Sequence, residues 1–317
     1  MKTMVECIRC GKEAVVELRY CKEDLCQYCF KELFEKRVWK ANKDFSLVTR
    51  GDRIVVGVSG GKDSSALLFV LHKMAKKIGD VEIIPVLVNE GIEGYRNKAI
   101  EKARELCEKL GYELNIVSYK ETVGFSMDEV MKVRGPNGHK SCTYCGVFRK
   151  NGLNQAALDF KANKLAIGHN ADDTSQTFLM NLLRNETHRI TKFGSQTSEE
   201  EGLVKRIKPL IYCLEKECAW YCEAAELPYY LGECPYANES FRGESKEFLN
   251  ELEEKYPGVK FNLLHSFLSI QEELKKNPVE EKPFLKCASC GNPCAGVKCK
   301  KCEFVEELTS KKNASKS

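Results

Sequence analysis

Between Asp52 and Met74 the chain reads "DRIVVGVSGGKDSSALLFVLHKM", a stretch that leaves little freedom of fold. Ile54–Val58 is a β-branched run interrupted only by Gly57, the pattern of a strand buried on both faces of a parallel sheet. From Ser64 onward the apolar residues fall at 67, 68, 71 and 74, which is one face of a helix. "SGGKDS" joins the two. Strand, glycine turn and helix start in that order make an anion site, because the N–H groups of the loop and of the helix N-terminus point at phosphate oxygens.

Four more strands are predicted, at Glu82–Val88, Glu113–Ser118, Lys164–Gly168 and Lys205–Leu210, with helices over Tyr95–Leu110 and Asp172–Leu183. The alternation predicts an α/β domain with a doubly wound parallel sheet over residues 51–235. Ligands of such sheets bind at the carboxyl ends of the strands. Ser59–Ser64, Asn89-Glu90, Gly168–Asp173 and the loop carrying Cys142 and Cys145 all fall there. The 317 residues are enough for one large domain and its appendages. The predicted appendages are a zinc finger over 1–30, a linker helix over 31–50, a helical extension over 236–280, a second finger over 281–304 and a flexible basic tail over 305–317. Met1–Arg19 has charges at Glu6, Lys12 and Glu13 and no apolar core of a signal peptide, and no apolar run approaches a membrane span. The expectation is a cytoplasmic protein with no membrane partner.

The chain has 17 cysteines, too many to be disulfides in a reducing compartment. Cys7-x2-Cys10 is followed after fifteen residues by Cys26-x2-Cys29, and Cys287-x2-Cys290 after eight by Cys299-x2-Cys302. Two CxxC knuckles bring four thiolates to the corners of a tetrahedron, so a structural Zn²⁺ is expected at each end of the chain. Gly11 and Gly291 follow the second cysteine of each first pair, where the turn favours positive φ. Cys21 and Cys294 read as spares, Cys107 as core, and Cys218 and Cys222 as packing residues of a helix. Cys142 and Cys145 form a CxxC without a local partner. Cys234 sits in the Gly/Pro loop "LGECPYAN", where core packing explains it poorly.

The glycine loop is not a Walker A loop. From Gly57 to Gly61-Lys62 there are three intervening residues where four are required, and Asp63 stands where a Mg²⁺-holding hydroxyl is needed. "SGGxDS" instead resembles the loop of the N-type ATP pyrophosphatases, which cleave ATP between the α- and β-phosphates. Taken with "GVSGGKDSSALL", the segments "NEGIEGYR", "SCTYCGVFRK", "IGHNADDTSQTFLMNLLR" and "KPLIYC" resemble the PP-loop tRNA 2-thiouridine synthetases, the TtuA/NcsA group with TtcA more distant. The likeness spans nearly the whole chain, fingers included, although relatives often end the first finger in CxxH where this chain has Cys29.

That resemblance implies an adenine-nucleotide-alpha-hydrolase-like fold and an enzyme that adenylates the C2 oxygen of a tRNA uridine with ATP and Mg²⁺, then replaces it with sulfur. It implies that Cys142, Cys145 and Cys234 hold a 4Fe–4S cluster by three thiolates, leaving one iron open for hydrosulfide. Ser59, Gly60, Gly61, Lys62, Asp63 and Ser64 would take the pyrophosphate. Val58 and Val88 would flank adenine or ribose, Gly168 and His169 would line the nucleotide, and Asp173 would serve Mg²⁺ or catalysis, although "HNADD" would equally start a helix. Arg149, one helical turn past Cys145, would reach an anion beside the cluster. Arg184, His188, Arg189 and Lys192, with the two fingers, would contact tRNA; Lys205, Arg206, Lys208 and the tail from Lys311 are further basic clusters. The sulfur donor would be sulfide or a ubiquitin-like thiocarboxylate protein, and a homodimer is a further expectation. The many Cys and Asn, types scarce in hyperthermophiles, favour the wobble uridine over the T-loop. Three rivals stand beside this reading: a cluster-free thiolase cycling Cys142 or Cys145 with Cys234, another PP-loop ligase such as a lysidine synthetase, and a zinc-ribbon RNA binder without catalysis.

Overall fold

The computed structural model describes residues 5–197, 201–237, 241–276 and 284–314. In chain order its elements begin with β1 (Val16–Leu18), β2 (Glu23–Leu25), α1 (Gln27–Phe45), β3 (Arg53–Gly57), α2 (Lys62–Ile78), β4 (Glu82–Asn89), α3 (Arg96–Leu110) and β5 (Asn115–Ser118). There follow α4 (Tyr119–Val123), α5 (Met127–Val133), α6 (Ser141–Asp159), β6 (Lys164–Ala166) and α7 (Ala171–Leu183). After a 3-10 turn over Thr187–Lys192 come β7 (Lys205–Ile207), α8 (Glu215–Ala224), α9 (Phe241–Lys255), α10 (Val259–Lys276), β8 (Leu285–Lys286), β9 (Pro293–Cys294) and α11 (Lys300–Ala314).

The central sheet has five strands in the order β5-β4-β3-β6-β7, all parallel. The chain runs outward from β3 to one edge and then returns to the other side through β6. The order therefore reverses between β3 and β6, and their carboxyl ends flank the crevice where such folds bind ligands. Helices cover both faces. One core joins β3 to α1, α2, α3, α7, α8 and α10. The opposite face packs α6 on β3, β4 and β6, with α5 and α11 stacked outside it. The α/β doubly wound class expected from the sequence is the class observed.

The first four-cysteine segment lies against α1 and α8. Phe30, Phe34, Val38 and Ala41 make the buried stripe of α1, and Phe34 stacks on Tyr221 with ring centroids 4.2 Å apart. Arg37 pairs with the fully buried Glu217 at 2.7 Å, and Tyr20 donates to the same carboxylate at 2.5 Å. The second segment sits on the other face, at the β7 edge, where Lys286 pairs with Glu201 at 3.2 Å.

One expectation needs correcting. Residues 305–317 read as a flexible basic tail, yet α11 runs to Ala314. Phe304 and Leu308, one turn apart, are buried, and the Phe304 ring lies 4.7 Å from that of Tyr144. Burying two large apolar side chains, at about 1.5–3 kcal/mol each, outweighs the lysines' preference for solvent, which α11 satisfies on its outer face. Residues 315–317 lie outside the described residues. Among the described residues no helix is long and apolar enough to cross a membrane.

Candidate active site

The nucleotide loop closes β3 onto α2. Gly60 has φ +83°, and a Cβ there would stand 2.1 Å from the Ala99 carbonyl oxygen, so only glycine fits. Gly61 caps α2, leaving the first N–H groups of that helix pointing into the loop. The loop is braced from inside: Ser59 N–H donates to Ser64 Oγ at 3.0 Å, and Ser64 Oγ donates to the Gly61 carbonyl at 2.9 Å. Lys62 pairs with Glu215 at 2.9 Å and with Asp63 at 3.1 Å. Burial opposes the charge of Lys62, but these two carboxylates outweigh it and hold the ammonium above its ordinary range. Lys246 of α9 shares the same Glu215 oxygen at 2.8 Å.

The end of β6 presses on this loop. A Cβ on Gly168 would lie 3.2 Å from the Asp63 backbone, and Asn170 donates to the Asp63 carboxylate at 3.0 Å. Asn170 and Asp173 form a reciprocal capping box at the start of α7, so the helix-start reading of "HNADD" is met. The other oxygen of Asp173 accepts from Arg242 of α9 at 2.8 Å. His169 is exposed at the cleft mouth, where crowding by the surrounding protein first, then the charges of Lys208, Arg242 and Lys150, draw its imidazole down to about 4 against the pull of Asp173. Val58 and Val88, after β3 and near the end of β4, have buried side chains in different cores.

The central CxxC occupies the first turn of α6, with Cys142 exposed and Cys145 half-buried. Ser141 donates to the Tyr236 carbonyl at 3.0 Å, which ties the 234–236 loop to the same helix start. Cys234 is half-buried there; burial, then the neighbouring charges of Cys145 and Cys142, push its thiol up. Thiols up to 92 positions apart in sequence are thus brought near enough to feel one another's charge, although their sulfurs are not gathered within 4.8 Å as those of the two four-cysteine groups are; three cysteines around one helix start are a donor set of the kind that holds an iron–sulfur cluster.

A polar chain links these cysteines to the nucleotide loop. Arg149 donates to the Cys145 sulfur at 3.2 Å and pairs with the buried Glu90 at 2.9 Å. Glu90 also pairs with Arg96 at 2.7 Å. Arg96 in turn donates to the Ser59 carbonyl at 2.9 Å and the Val88 carbonyl at 2.6 Å. Tyr119 donates to the Cys145 carbonyl at 2.8 Å. Sequence reading placed Glu90 at a strand end but assigned it no role, and it missed Arg96, Tyr119, Glu215, Arg242 and Lys246. "NEGIEGYR" carried a signal for the Glu90–Arg96 pair; nothing local marks Arg242 or Lys246.

Cys7, Cys10, Cys26 and Cys29 form one group whose sulfurs lie within 4.8 Å of one another, and Cys287, Cys290, Cys299 and Cys302 form another. Both groups fit a tetrahedral Zn²⁺. Gly11 and Gly291 have φ +71° and +73°, and their N–H groups bond to the Cys7 and Cys287 carbonyls at 2.9 and 2.8 Å. Backbone N–H groups around Cys287 draw its thiol down to about 6, toward the thiolate a metal needs. Cys21 and Cys294 turn to the carbonyls of Leu18 and Gly296 and lie outside both groups. Cys107, Cys218 and Cys222 are buried. Of the basic clusters, Arg184, His188, Arg189 and Lys192 are exposed around the end of α7, and Arg206 and Lys208 are half-buried beside the cleft.

Residues 30–243 match a family model described as a PP-loop domain. Cytoplasmic tRNA 2-thiolation protein 1 of Dictyostelium discoideum is 36% identical over 290 residues, which are 91% of this chain and 79% of that protein. The tRNA-5-methyluridine(54) 2-sulfurtransferase of Pyrococcus horikoshii is 36% identical over 300 residues, 95% of this chain and 93% of that protein. Among solved structures, the U34-tRNA thiolase NcsA from Methanococcus maripaludis with its 4Fe-4S cluster superposes with a TM-score of 0.82 at 31% identity, over 97% of each chain.

Proposed function

The chain belongs to the PP-loop family of tRNA 2-thiolation proteins, and from that membership we propose that it uses ATP to exchange the C2 oxygen of a tRNA uridine for sulfur. The observation that carries the reading is the polar chain that joins the phosphate loop to the cysteines at the start of α6, through Arg96, Glu90 and Arg149.

The N–H groups of Gly60, Gly61 and the start of α2, with Lys62 and Ser59, receive the β- and γ-phosphates. Gly168 and His169 line the nucleotide, and Asp63 and Asp173, once released from Lys62 and Arg242, would hold Mg²⁺, which would offset the phosphate charge. The uridine O2 attacks the α-phosphorus, the bond to the β-phosphate oxygen breaks, and pyrophosphate leaves. Adenylation turns a poor oxygen leaving group into AMP. Sulfur then bonds to C2 and the C2–O bond breaks with release of AMP. Cys142, Cys145 and Cys234 would hold the cluster, which when bound supplies sulfur at an iron without a protein ligand. Arg149 orients the anionic sulfur beside Cys145, and neutral His169 can accept the proton shed by the base or by hydrosulfide.

The donor is sulfide or a thiocarboxylate carrier, two Zn²⁺ brace the ends, and the protein works in the cytoplasm, as a homodimer. The two named uridine positions among the relatives, 34 and 54, leave the target to the composition argument, which favours 34. The test is anaerobic turnover of unmodified tRNA with ATP and sulfide, read by mass spectrometry of the nucleosides and of RNase fragments. 2-Thiouridine in the anticodon fragment, lost together with iron in Cys234→Ala, is the expected result. Thiolation by an iron-free protein would replace the cluster with a persulfide cycle between Cys142 or Cys145 and Cys234, and absence of any thiolated nucleoside would overturn the reading.

A further inference from the structure

Beyond the nucleotide loop, basic side chains from four elements face one another across one cleft, and all but the neutral His169 are cations. Lys150 comes from α6, His169 from the end of β6, Arg206 and Lys208 from β7 and the residue after it, and Arg242 from α9. Lys150 lies in the field of Arg206, Arg242 and Arg189, and Lys208 in that of Arg242, Lys150 and Arg206. The acid that faces them is Asp173, and Arg242 already holds it at 2.8 Å. Among the described residues Lys150, Arg206 and Lys208 have no carboxylate at ion-pair distance. The Lys208 ammonium stands 5.7 Å over the Phe193 ring instead.

Like charges fixed on separate rigid elements repel, and burial adds to the cost. Lys208 is held down to about 8 by burial first and by its cationic neighbours after that, against the pull of Asp173. Such a cluster is relieved by an anion. The phosphates of ATP already have their place at Ser59–Ser64. The cationic cleft instead opens into a groove lined by Val147, Asn151, Leu203, Pro293, Lys300 and Lys301, which runs from Lys150 and Arg206 to the second four-cysteine segment. A cationic groove with apolar walls and carboxamides suits a single-stranded RNA backbone, and a base withdrawn from its stack needs its flanking phosphates held.

We propose that this cleft and groove bind the phosphodiester backbone of the RNA substrate, with Lys150, Arg206 and Lys208 on the phosphates next to the reacting base and Lys301 further along the strand. The identity of the strand rests on the tRNA-thiolase reading; the cleft's selectivity for an anion does not. The placement also moves the RNA path away from the first four-cysteine segment, which lies on the opposite face of the sheet.

The test is the full-length protein carrying Lys150→Gln, Arg206→Gln and Lys208→Gln together, titrated with unmodified tRNA transcript over a salt series and separately with ATP. Expected are tRNA affinity at least about tenfold weaker and a log–log salt slope shallower by about 2, at roughly 0.7 per lost contact. ATP affinity should stay within about twofold, since its phosphates sit on backbone N–H groups. Lys102→Gln, on α3, should change neither. Lys150→Arg with Lys208→Arg should keep tRNA affinity, which separates charge from local damage, and zinc content and thermal midpoint check the fold of each variant. tRNA binding equal to wild type, or lost ATP affinity with tRNA affinity kept, overturns the proposal. If wild type thiolates tRNA while the triple variant binds it normally, only this inference falls. If wild type neither binds nor thiolates tRNA, the thiolase reading falls and takes this one with it.

Discussion

Arg149 spans the space between Glu90 and Cys145, pairing with the buried carboxylate at 2.9 Å while donating to the sulfur at 3.2 Å. Neither partner holds the guanidinium alone. Glu90 also neutralises Arg96, whose side chain is 5% exposed, so one carboxylate serves two arginines.

Removing Glu90 therefore leaves Arg96 charged and buried without its counter-ion. Glu90→Ala should lower stability by about 3–5 kcal/mol, read from urea denaturation. Glu90→Gln keeps the shape and loses the charge; its thiolation rate should fall about 10–100-fold, the range for residues that orient a metal ligand's surroundings, with ATP affinity nearly unchanged. A wild-type rate in Glu90→Gln would remove Arg149's orientation from the mechanism.

Gly60→Ala should abolish nucleotide binding without unfolding the protein. Its φ of +83° and the 2.1 Å approach to the Ala99 carbonyl force the loop to move. A displacement of about 1 Å at a positioning loop costs on the order of 100-fold in rate. Calorimetric titration with ATP checks it. Gly61→Ala, with only Ser59 Oγ at 3.6 Å, should be milder.

His169 should make the protein acid-sensitive, by an amount that its exposure keeps small. Its imidazole is held at about 4 in the folded chain, below the ordinary value of about 6.5. Between those values the unfolded chain binds the extra proton, so stability falls as pH drops from about 6.5 through about 4. His169→Gln removes that increment. The difference in urea midpoint between pH 7 and pH 5 should be smaller in the variant; equal differences would mean that His169 is not held neutral.

Each four-cysteine group should carry its own metal. Cys7→Ser and Cys287→Ser should each lower zinc by about one of about two equivalents, and neither should lower iron. Loss of both zincs in a single variant would show that the two ends are not independent.

The sheet, the phosphate loop and the two four-cysteine groups were legible in the sequence because each is written in short-range pattern. A β-branched run, a glycine turn and a helical stripe occupy adjacent residues, and CxxC spacing places two ligands by itself. α11 was legible in part: Phe304 and Leu308 stand four apart, but the lysines around them concealed the apolar stripe, and only contact with Tyr144 shows what it packs on. What the tertiary structure alone decided is which distant groups share a charge or a sulfur site. Arg242 meets Asp173 from 69 residues away, Arg149 meets Glu90 from 59, and Cys234 reaches the start of α6 through a loop that Ser141 holds. No local propensity encodes such meetings. Parallel strands join through crossovers, so the carboxyl ends that form the crevice come from positions far apart in the chain. Which side chains face each other there depends on strand order and helix docking, which the packing of the whole core sets.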